Sequence, residues 1–143
     1  MARLDDGFKT TISLSGAGTT FYEKSVTPPG LDGGGSIDTT TMRNTLYRTF
    51  SPKALITMSE MSLTVAYDSS QVANVSQLNT NQQITITFPD NSTIEFWGFV
   101  NSFVPGELAE GEQPEAEITI IPTNHDNTPQ LAEQAPVYTA PAP

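Results

Sequence analysis

The sequence predicts a mainly β (α+β) fold, an antiparallel β-sandwich or barrel with one short flanking helix. Several short segments alternate apolar and polar residues with the period of a half-buried strand. Only one segment has the three-residue apolar spacing of an amphipathic helix, and β-α-β alternation is absent. The 143 residues are enough for one domain, which we place at 1–122, and a Pro-rich C-terminal extension at 123–143.

The N-terminal part predicts a β-hairpin. In residues 8–14, Phe8, Thr10, Ile12 and Leu14 share one side of a strand, and a Ser-Gly-Ala-Gly turn follows. Residues 20–26 then return as a second strand, which we expect to pair with the first.

Residues 27–53 predict a mobile loop because two prolines and the triplet Gly33, Gly34 and Gly35 oppose regular structure. Residues 36–42 form a strand only if another segment pairs with them, and we expect that partner in another chain. Residues 43–53 mix aromatic and basic side chains before a Ser-Pro breaker, which favours an extended connection.

The central and C-terminal parts predict the main strands. Residues 58–67 alternate most clearly, with Met61, Leu63 and Val65 on one face. Residues 69–78 predict the helix. Residues 84–88 and 93–100 predict a hairpin around Asp90-Asn91, and an acidic loop at 107–112 precedes a last strand at 115–121 with Ile118 and Ile120 inward. Residues 123–143 have too few apolar groups to fold alone, which predicts an extended tail.

Charge and composition reduce the number of functional classes that fit the sequence. The formal charge is -10, the sequence pI is 4.2, and all six basic residues precede Ala54. This balance argues against tight binding to nucleic-acid phosphates, while the split favours contacts between copies or a solvated acidic surface. There is no cysteine, no apolar run long enough for a membrane helix and no signal-peptide pattern at the start, so we expect a soluble protein made in a cytoplasm.

The sequence predicts no enzyme, no cofactor and no metal site. His125 is the only histidine, which excludes a Ser-His-Asp set and a multi-histidine metal site within one chain. The carboxylates lack the spacing of a calcium loop. Trp97 offers a surface for stacking a sugar or a base, although its alternating position favours packing.

Three segments in chain order carry a resemblance: GGGSIDTTTMRN (33–44), then YRTFSP (47–52) leading to EMSLTVAYD (60–68), and finally FWGFV (96–100). Together they resemble the tail tube (major tail) proteins of long flexible-tailed, siphovirus-type bacteriophages, over roughly residues 5–122. The resemblance implies a tail-tube-like β-sandwich with one flanking helix, assembled as stacked hexameric rings around a channel for genome delivery. The C-terminal extension departs from this pattern.

The resemblance also implies partners, a location and an assembly loop. The partners are other copies of the chain and the tape-measure, tail terminator and tip proteins, and double-stranded DNA passes through without specific binding. The location is the virion tail, assembled in the bacterial host cytoplasm and without a membrane. The assembly loop spans 27–53, and its inter-subunit residues are Gly33, Gly34, Gly35, Ile37, Met42, Tyr47 and Phe50.

Strand alternation supplies candidates for the wall of such a channel. Burial of Met61, Leu63 and Val65 turns Glu60, Ser62 and Thr64 to the other face, and burial of Ile118 and Ile120 does the same for Glu115, Glu117 and Thr119. Carboxylates and small hydroxyls suit a wall to which DNA must not adhere. The alternatives are a solvated outer face for these residues and, for the protein, a secretion-tube protein, a capsid-decoration or adhesion sandwich, or a carbohydrate-binding module.

Overall fold

The computed structural model describes residues 9–15, 22–67 and 78–140, and every regular element in these ranges is a β-strand. The strands are β1 (Thr11–Leu14), β2 (Glu23–Thr27), β3 (Leu31–Asp32), β4 (Ser36–Asp38), β5 (Phe50–Pro52), β6 (Thr57–Met58), β7 (Met61–Ala66), β8 (Gln82–Thr87), β9 (Thr93–Pro105), β10 (Glu115–Pro122) and β11 (Val137–Thr139). The predicted mainly β, antiparallel class is confirmed. The predicted helix at 69–78 lies outside the described residues except for Leu78.

The main sheet is antiparallel, with strand order β1-β8-β9-β10-β7-β2, and β11 adds to β9. The two end strands of this order meet again, since the Ile12 N–H donates a hydrogen bond of 3.0 Å to the Glu23 Oε1. A sheet whose first and last strands touch must curl around its own axis. We call this unit the rolled sheet, and the line between β1 and β2 its seam.

The core lies inside the rolled sheet, where alternate residues of each strand point. In β7 the buried residues are Met61, Leu63 and Val65, and the same period buries Ile84 and Ile86 in β8 and Ile118 and Ile120 in β10. Ile12, Leu14, Met58, Phe96, Val100 and Ala116 complete the cluster. The inward faces predicted for residues 8–14, 58–67 and 115–121 are confirmed for the described residues.

Strand β9 is the longest and links three neighbours. Thr93 to Gly98 pairs with β8, Gly98 to Pro105 pairs with β10, and Thr93 to Glu95 also pairs with β11. The β9–β10 pairing contains a register shift between Thr119 and Ile120. At Gly98 a side chain has no room, because a Cβ would lie 2.8 Å from the Ile121 carbonyl oxygen. The predicted hairpin around Asp90-Asn91 is confirmed, with β9 extending beyond Val100.

Two expectations about the chain ends are wrong. The first two strands do not form a hairpin, because β1 pairs with β8 and β2 pairs with β7. Strand β1 buries Ile12 and Leu14, while Val26 is the one apolar residue of β2 and is partly buried against the same core. These residues show that each strand faces the core but not which strand it pairs with. The C-terminal part is not an extended tail either, since Val137–Thr139 returns to the edge of β9. Backbone hydrogen bonds to an open sheet edge replace the apolar burial that this segment lacks.

Within the described ranges, we find no helix long and apolar enough to cross a membrane.

Candidate assembly surfaces

The first candidate surface is a ribbon outside the rolled sheet. Residues 28–58, which we call the arm, form two short antiparallel ladders, β3 with β6 at the base and β4 with β5 further out. Buried Pro29 and Met58 anchor the base to the core. Gly30 and Ser59 form two hydrogen bonds. The Gly30 N–H donates to the Ser59 hydroxyl at 2.7 Å, and the Ser59 N–H donates to the Gly30 carbonyl at 2.8 Å.

The expectation that residues 36–42 need a strand partner in another chain is wrong. Ser36–Asp38 pairs with Phe50–Pro52 of the same chain. The sequence concealed this pairing because the two segments share no alternation and bury almost nothing against each other.

The glycine triplet lies between the two ladders of the arm. Gly34 and Gly35 have φ angles of +83° and +92°, a region that favours glycine, whereas Gly33 does not. The Gly34 N–H donates to the Asp32 Oδ1 at 2.7 Å, and the Lys53 N–H donates to the Gly35 carbonyl at 3.3 Å. These contacts turn the chain from the base ladder into the outer one.

Polar side chains hold the tip of the arm, residues 39–49. The Thr39 N–H donates to the Thr49 carbonyl and the Thr49 N–H to the Thr40 hydroxyl, both at 3.0 Å. Asn44 closes the turn, accepting from the Thr41 N–H at 3.0 Å and donating to the Tyr47 carbonyl at 2.8 Å. Within the Asp-Thr-Thr-Thr-Met-Arg-Asn sequence, four side chains therefore hydrogen-bond nearby backbone groups: Asp38, Thr40, Thr41 and Asn44.

Asp38 begins this network. Its carboxylate accepts a hydrogen bond from the Thr40 N–H at 2.9 Å and lies 3.4 Å from the Arg48 guanidinium. Contact with the Thr40 hydroxyl, and then with the Thr40 N–H, lowers the pKa of Asp38 below its ordinary value. The ionised carboxylate is thus part of the local structure of the tip.

The arm exposes large apolar side chains along its length. Met42, Leu46 and Tyr47 at the tip are 102%, 85% and 81% exposed. The others are Leu31, Ile37, Phe50, Leu55 and Ile56. Clustered apolar exposure of this kind marks an interaction surface.

All seven predicted assembly residues lie in the arm, and the structure brings them onto one ribbon: Gly33, Gly34, Gly35, Ile37, Met42, Tyr47 and Phe50. Among the exposed apolar residues of the arm, the sequence did not indicate four as assembly residues: Leu31, Leu46, Leu55 and Ile56. The signal available for them was an apolar residue in a segment that has neither strand nor helix periodicity.

The second candidate surface is the outer face of β7 and β10. Thr64 pairs with Glu117 and Ser62 with Thr119, while Glu115 pairs with Ala66 at the end of the ladder. Ser25 and Thr27 of β2 extend these rows. Five of the six predicted channel residues thus share one face, whereas Glu60 lies exposed just before β7. Lys24 bonds to the Glu115 carboxylate, which neutralises the cation at the edge of this face.

The third candidate surface is built by the C-terminal segment, residues 123–140. Asn81 holds its start: the Thr123 hydroxyl donates to the Asn81 Oδ1 at 2.7 Å, and the Asn81 Nδ2 donates to the His125 carbonyl at 2.9 Å. Asp126 closes the following loop, accepting from Thr128, Ala132 and Gln134. The Thr128 hydroxyl, and then the Thr128 N–H, lower the pKa of Asp126.

A groove of about 490 Å³ separates this segment from the base of the arm. The arm supplies one wall, with Leu31, Ala54, Leu55, Ile56 and Met58. The C-terminal segment supplies the other, with Asn124, Glu133, Gln134, Ala135 and Pro136. The groove is mostly apolar, and Glu133 is its only ionisable lining residue among those the structure describes.

The remaining chemical candidates have local structural roles. His125 lies half-buried, and its Nδ1 is 2.9 Å from the Asp126 carbonyl oxygen. Trp97 lies half-buried on β9, where its carbonyl accepts the Thr123 N–H at 2.9 Å. Within the described ranges, no group of three or more His, Cys, Asp or Glu residues is placed to hold a metal ion.

Comparison with known proteins gives a match in three dimensions. No family model matches the sequence, and no curated protein matches it. Among solved structures, a chain in the virion of a native gene transfer agent (GTA) particle matches with a TM-score of 0.65 and 12% identity, over 94% of this chain and 98% of that one. A chain in the tail of an empty GTA particle with C6 symmetry matches with the same values. This chain shares its fold with a tail protein.

A third match supports the same architecture. A chain of the six-fold symmetrised baseplate of the anti-feeding prophage (AFP) aligns with a TM-score of 0.59 and 7% identity, over 80% of this chain and 87% of that one. At these identities the shared property is the fold.

Proposed function

We propose that this chain is a structural protein of a phage-type tail that polymerises as stacked hexameric rings into a tube for genome delivery. The observation that carries the proposal is the fold shared, over almost the whole chain, with a protein of a C6-symmetric tail. The arm supports the proposal independently, because soluble monomers rarely expose eight large apolar side chains on one ribbon. The siphovirus-type major tail protein is the specific role that the sequence motifs favour.

In this proposal the arm joins subunits, and the hydroxyl- and carboxylate-rich face of β7 and β10 lines the channel. Stacked rings would repeat Glu117 many times along the DNA path. At physiological ionic strength its field extends about 8 Å, which is enough to repel phosphate at the wall. DNA would then slide without adhering.

Electron microscopy of the purified protein tests the polymer. The expected result is hollow tubes with six-fold end views, formed at a concentration-dependent rate. A variant with Tyr47→Asp and Phe50→Asp should remain a folded monomer, because both residues are exposed and contribute little to the core. Persistent monomers of the unmodified protein under all ionic strengths would contradict the proposal.

Genome ejection tests the channel face. Particles carrying Glu117→Lys should form tails of normal length but eject DNA more slowly, since phosphates would pair with the wall at each ring. Glu107→Lys, on the exposed loop between β9 and β10, makes the same change in net charge and is the matched control. Equal ejection rates for the two variants would remove Glu117 from the channel.

A second candidate is a component of a secretion tube or baseplate with the same architecture, which the match to the AFP baseplate favours. The two candidates differ in the particle that contains the protein. Mass spectrometry of DNA-containing particles purified from the producing host separates them, because only a tail tube protein is present at many copies per packaged genome.

A further inference from the structure

We propose that the groove between the arm base and the C-terminal segment is the receptor for the arm tip of a second copy of this chain. The inference deepens the proposed function, and rests on it in naming a second copy as the occupant. It assigns a receiving site to the arm and a role to residues 123–140. The C-terminal segment becomes half of an assembly site.

The groove and the tip match in chemistry. The groove is lined by apolar side chains of Leu31, Leu55 and Ile56 on one wall and by Pro136 on the other. The tip offers Met42, Leu46 and Tyr47, which are almost fully exposed. A volume of about 490 Å³ lies within the roughly 300–1,000 Å³ of pockets that enclose a ligand.

The charges at the two surfaces are complementary. Arg43 lies beside Met42 at the tip, and no carboxylate pairs with it in the part of the chain that the structure describes. Glu133 lines the groove and likewise forms no ion pair there. An Arg43–Glu133 contact between copies would satisfy both charges and fix the orientation of the docked tip.

A chain cannot fill its own groove. The groove lies at the β3–β6 base, and the β4–β5 ladder with its glycine turn separates it from the tip. Folding the tip back would require a bend at the glycine turn, which would break the hydrogen bonds from Gly34 to Asp32 and from Lys53 to Gly35. The occupant that we propose is therefore the tip of another molecule.

Tip and groove are different surfaces of one chain, so the contact is heterologous. Such contacts propagate from copy to copy and close into a ring when the rotation per contact allows it. Docking between two identical patches would instead stop at a dimer.

Cross-linking between engineered cysteines tests the contact, and the chain has no cysteine to interfere. Equal amounts of Tyr47→Cys protein and Ala54→Cys protein are mixed under assembly conditions and treated with a short bismaleimide. We expect a covalent heterodimer carrying one copy of each variant. Tyr47→Cys mixed with Leu108→Cys, which is exposed on the β9–β10 loop, is the matched control and should give at least about tenfold less product.

Complementation between two assembly-defective variants tests the same contact without a cross-linking reagent. Tyr47→Asp should prevent the tip from binding, and Ile56→Asp should prevent the groove from receiving a tip. Each variant alone should therefore remain monomeric. An equal mixture retains one intact tip–groove pair per two chains, so it should give heterodimers and stop there. Arg43→Glu with Glu133→Arg should restore part of the assembly that either change alone weakens, by up to about fivefold.

The outcomes separate this inference from the tube proposal. Tubes that give no Tyr47–Ala54 cross-link overturn the inference and leave the tube. A cross-link in small closed oligomers supports the inference and overturns the tube, and the absence of both overturns both. A photo-reactive residue at Leu55 identifies the occupant in purified assemblies, and a cross-link to any segment other than the tip, residues 39–49, contradicts the proposal.

Discussion

The rolled sheet and the arm use opposite means to hold their shape. In the rolled sheet, long ladders surround a core in which Phe96 is 1% exposed. In the arm, ladders of two or three residue pairs and a set of threonine, aspartate and asparagine side chains fix the backbone, while Tyr47 is 81% exposed. The comparison teaches that a segment can have a defined conformation without a core of its own. Its apolar surface is then available to another subunit.

The largest test of this contrast exchanges one phenylalanine in each region for alanine. Phe96→Ala should lower the free energy of unfolding of the monomer by about 3–5 kcal/mol, because it leaves a cavity in the core. Phe50→Ala, on the exposed arm, should change it by less than about 0.5 kcal/mol but impair tube formation. Urea denaturation of each monomer measures both values, and equal losses would mean that the arm belongs to the same cooperative core.

A second test concerns close backbone packing inside the rolled sheet. Gly98→Ala places a methyl group 2.8 Å from the Ile121 carbonyl oxygen, so β9 and β10 must separate. We expect a loss of about 1–3 kcal/mol in the free energy of unfolding. Gly33→Ala adds the same group where no atom lies within 4 Å, and it should be nearly neutral. A neutral Gly98→Ala would show that the two strands separate at no cost.

A third test uses the arm glycines to separate conformation from contact. Gly35→Ala has open space for its methyl group but a φ of +92°, so it should strain the arm by on the order of 1 kcal/mol. Because little core packing holds the arm in this conformation, the strain should lower the fraction of monomers that have it. The critical concentration for assembly should then rise by up to about fivefold. Gly33→Ala is again the control, since its φ is not positive. Identical assembly of both variants would mean that the arm bends elsewhere.

The smallest test is the pH dependence of the tip. The pKa of Asp38 is lower in the folded arm than in an unfolded chain, so its contribution is complete above the unfolded value and is lost as pH falls through the folded value. The protection of the Thr40 amide, which is its exchange rate relative to that of an unstructured peptide at the same pH, should therefore fall below about pH 4. The Asp38→Asn variant should show no such step in protection. A step that persists in this variant would assign the effect to another carboxylate.

The strands of the rolled sheet were largely predictable from the sequence, because a half-buried strand alternates apolar and polar residues, as it does around Leu63, Ile86 and Ile118. Strand pairing was not predictable: Ile12 and Val26 both pack against the core, yet they belong to opposite ends of the strand order. The arm was recognisable by its glycines and its position, while its internal ladder was hidden because Ile37 and Phe50 bury too little to leave a pattern. The groove was not predicted, because its two walls contain residues far apart in the sequence, such as Ile56 and Pro136.

The pairing of β1 with β8 also sets an order of events during synthesis. Leu14 leaves the ribosome early, but its partner Ile84 is made only after the whole arm. The ladders of the arm join residues that are close in sequence. The arm can therefore form before β8, the strand that pairs with β1, has been made. Newly made chains therefore expose the apolar side chains of the arm before the rolled sheet is complete. Under the proposed role of the arm, the time until β8 and β9 are made limits the period in which unfinished chains can associate.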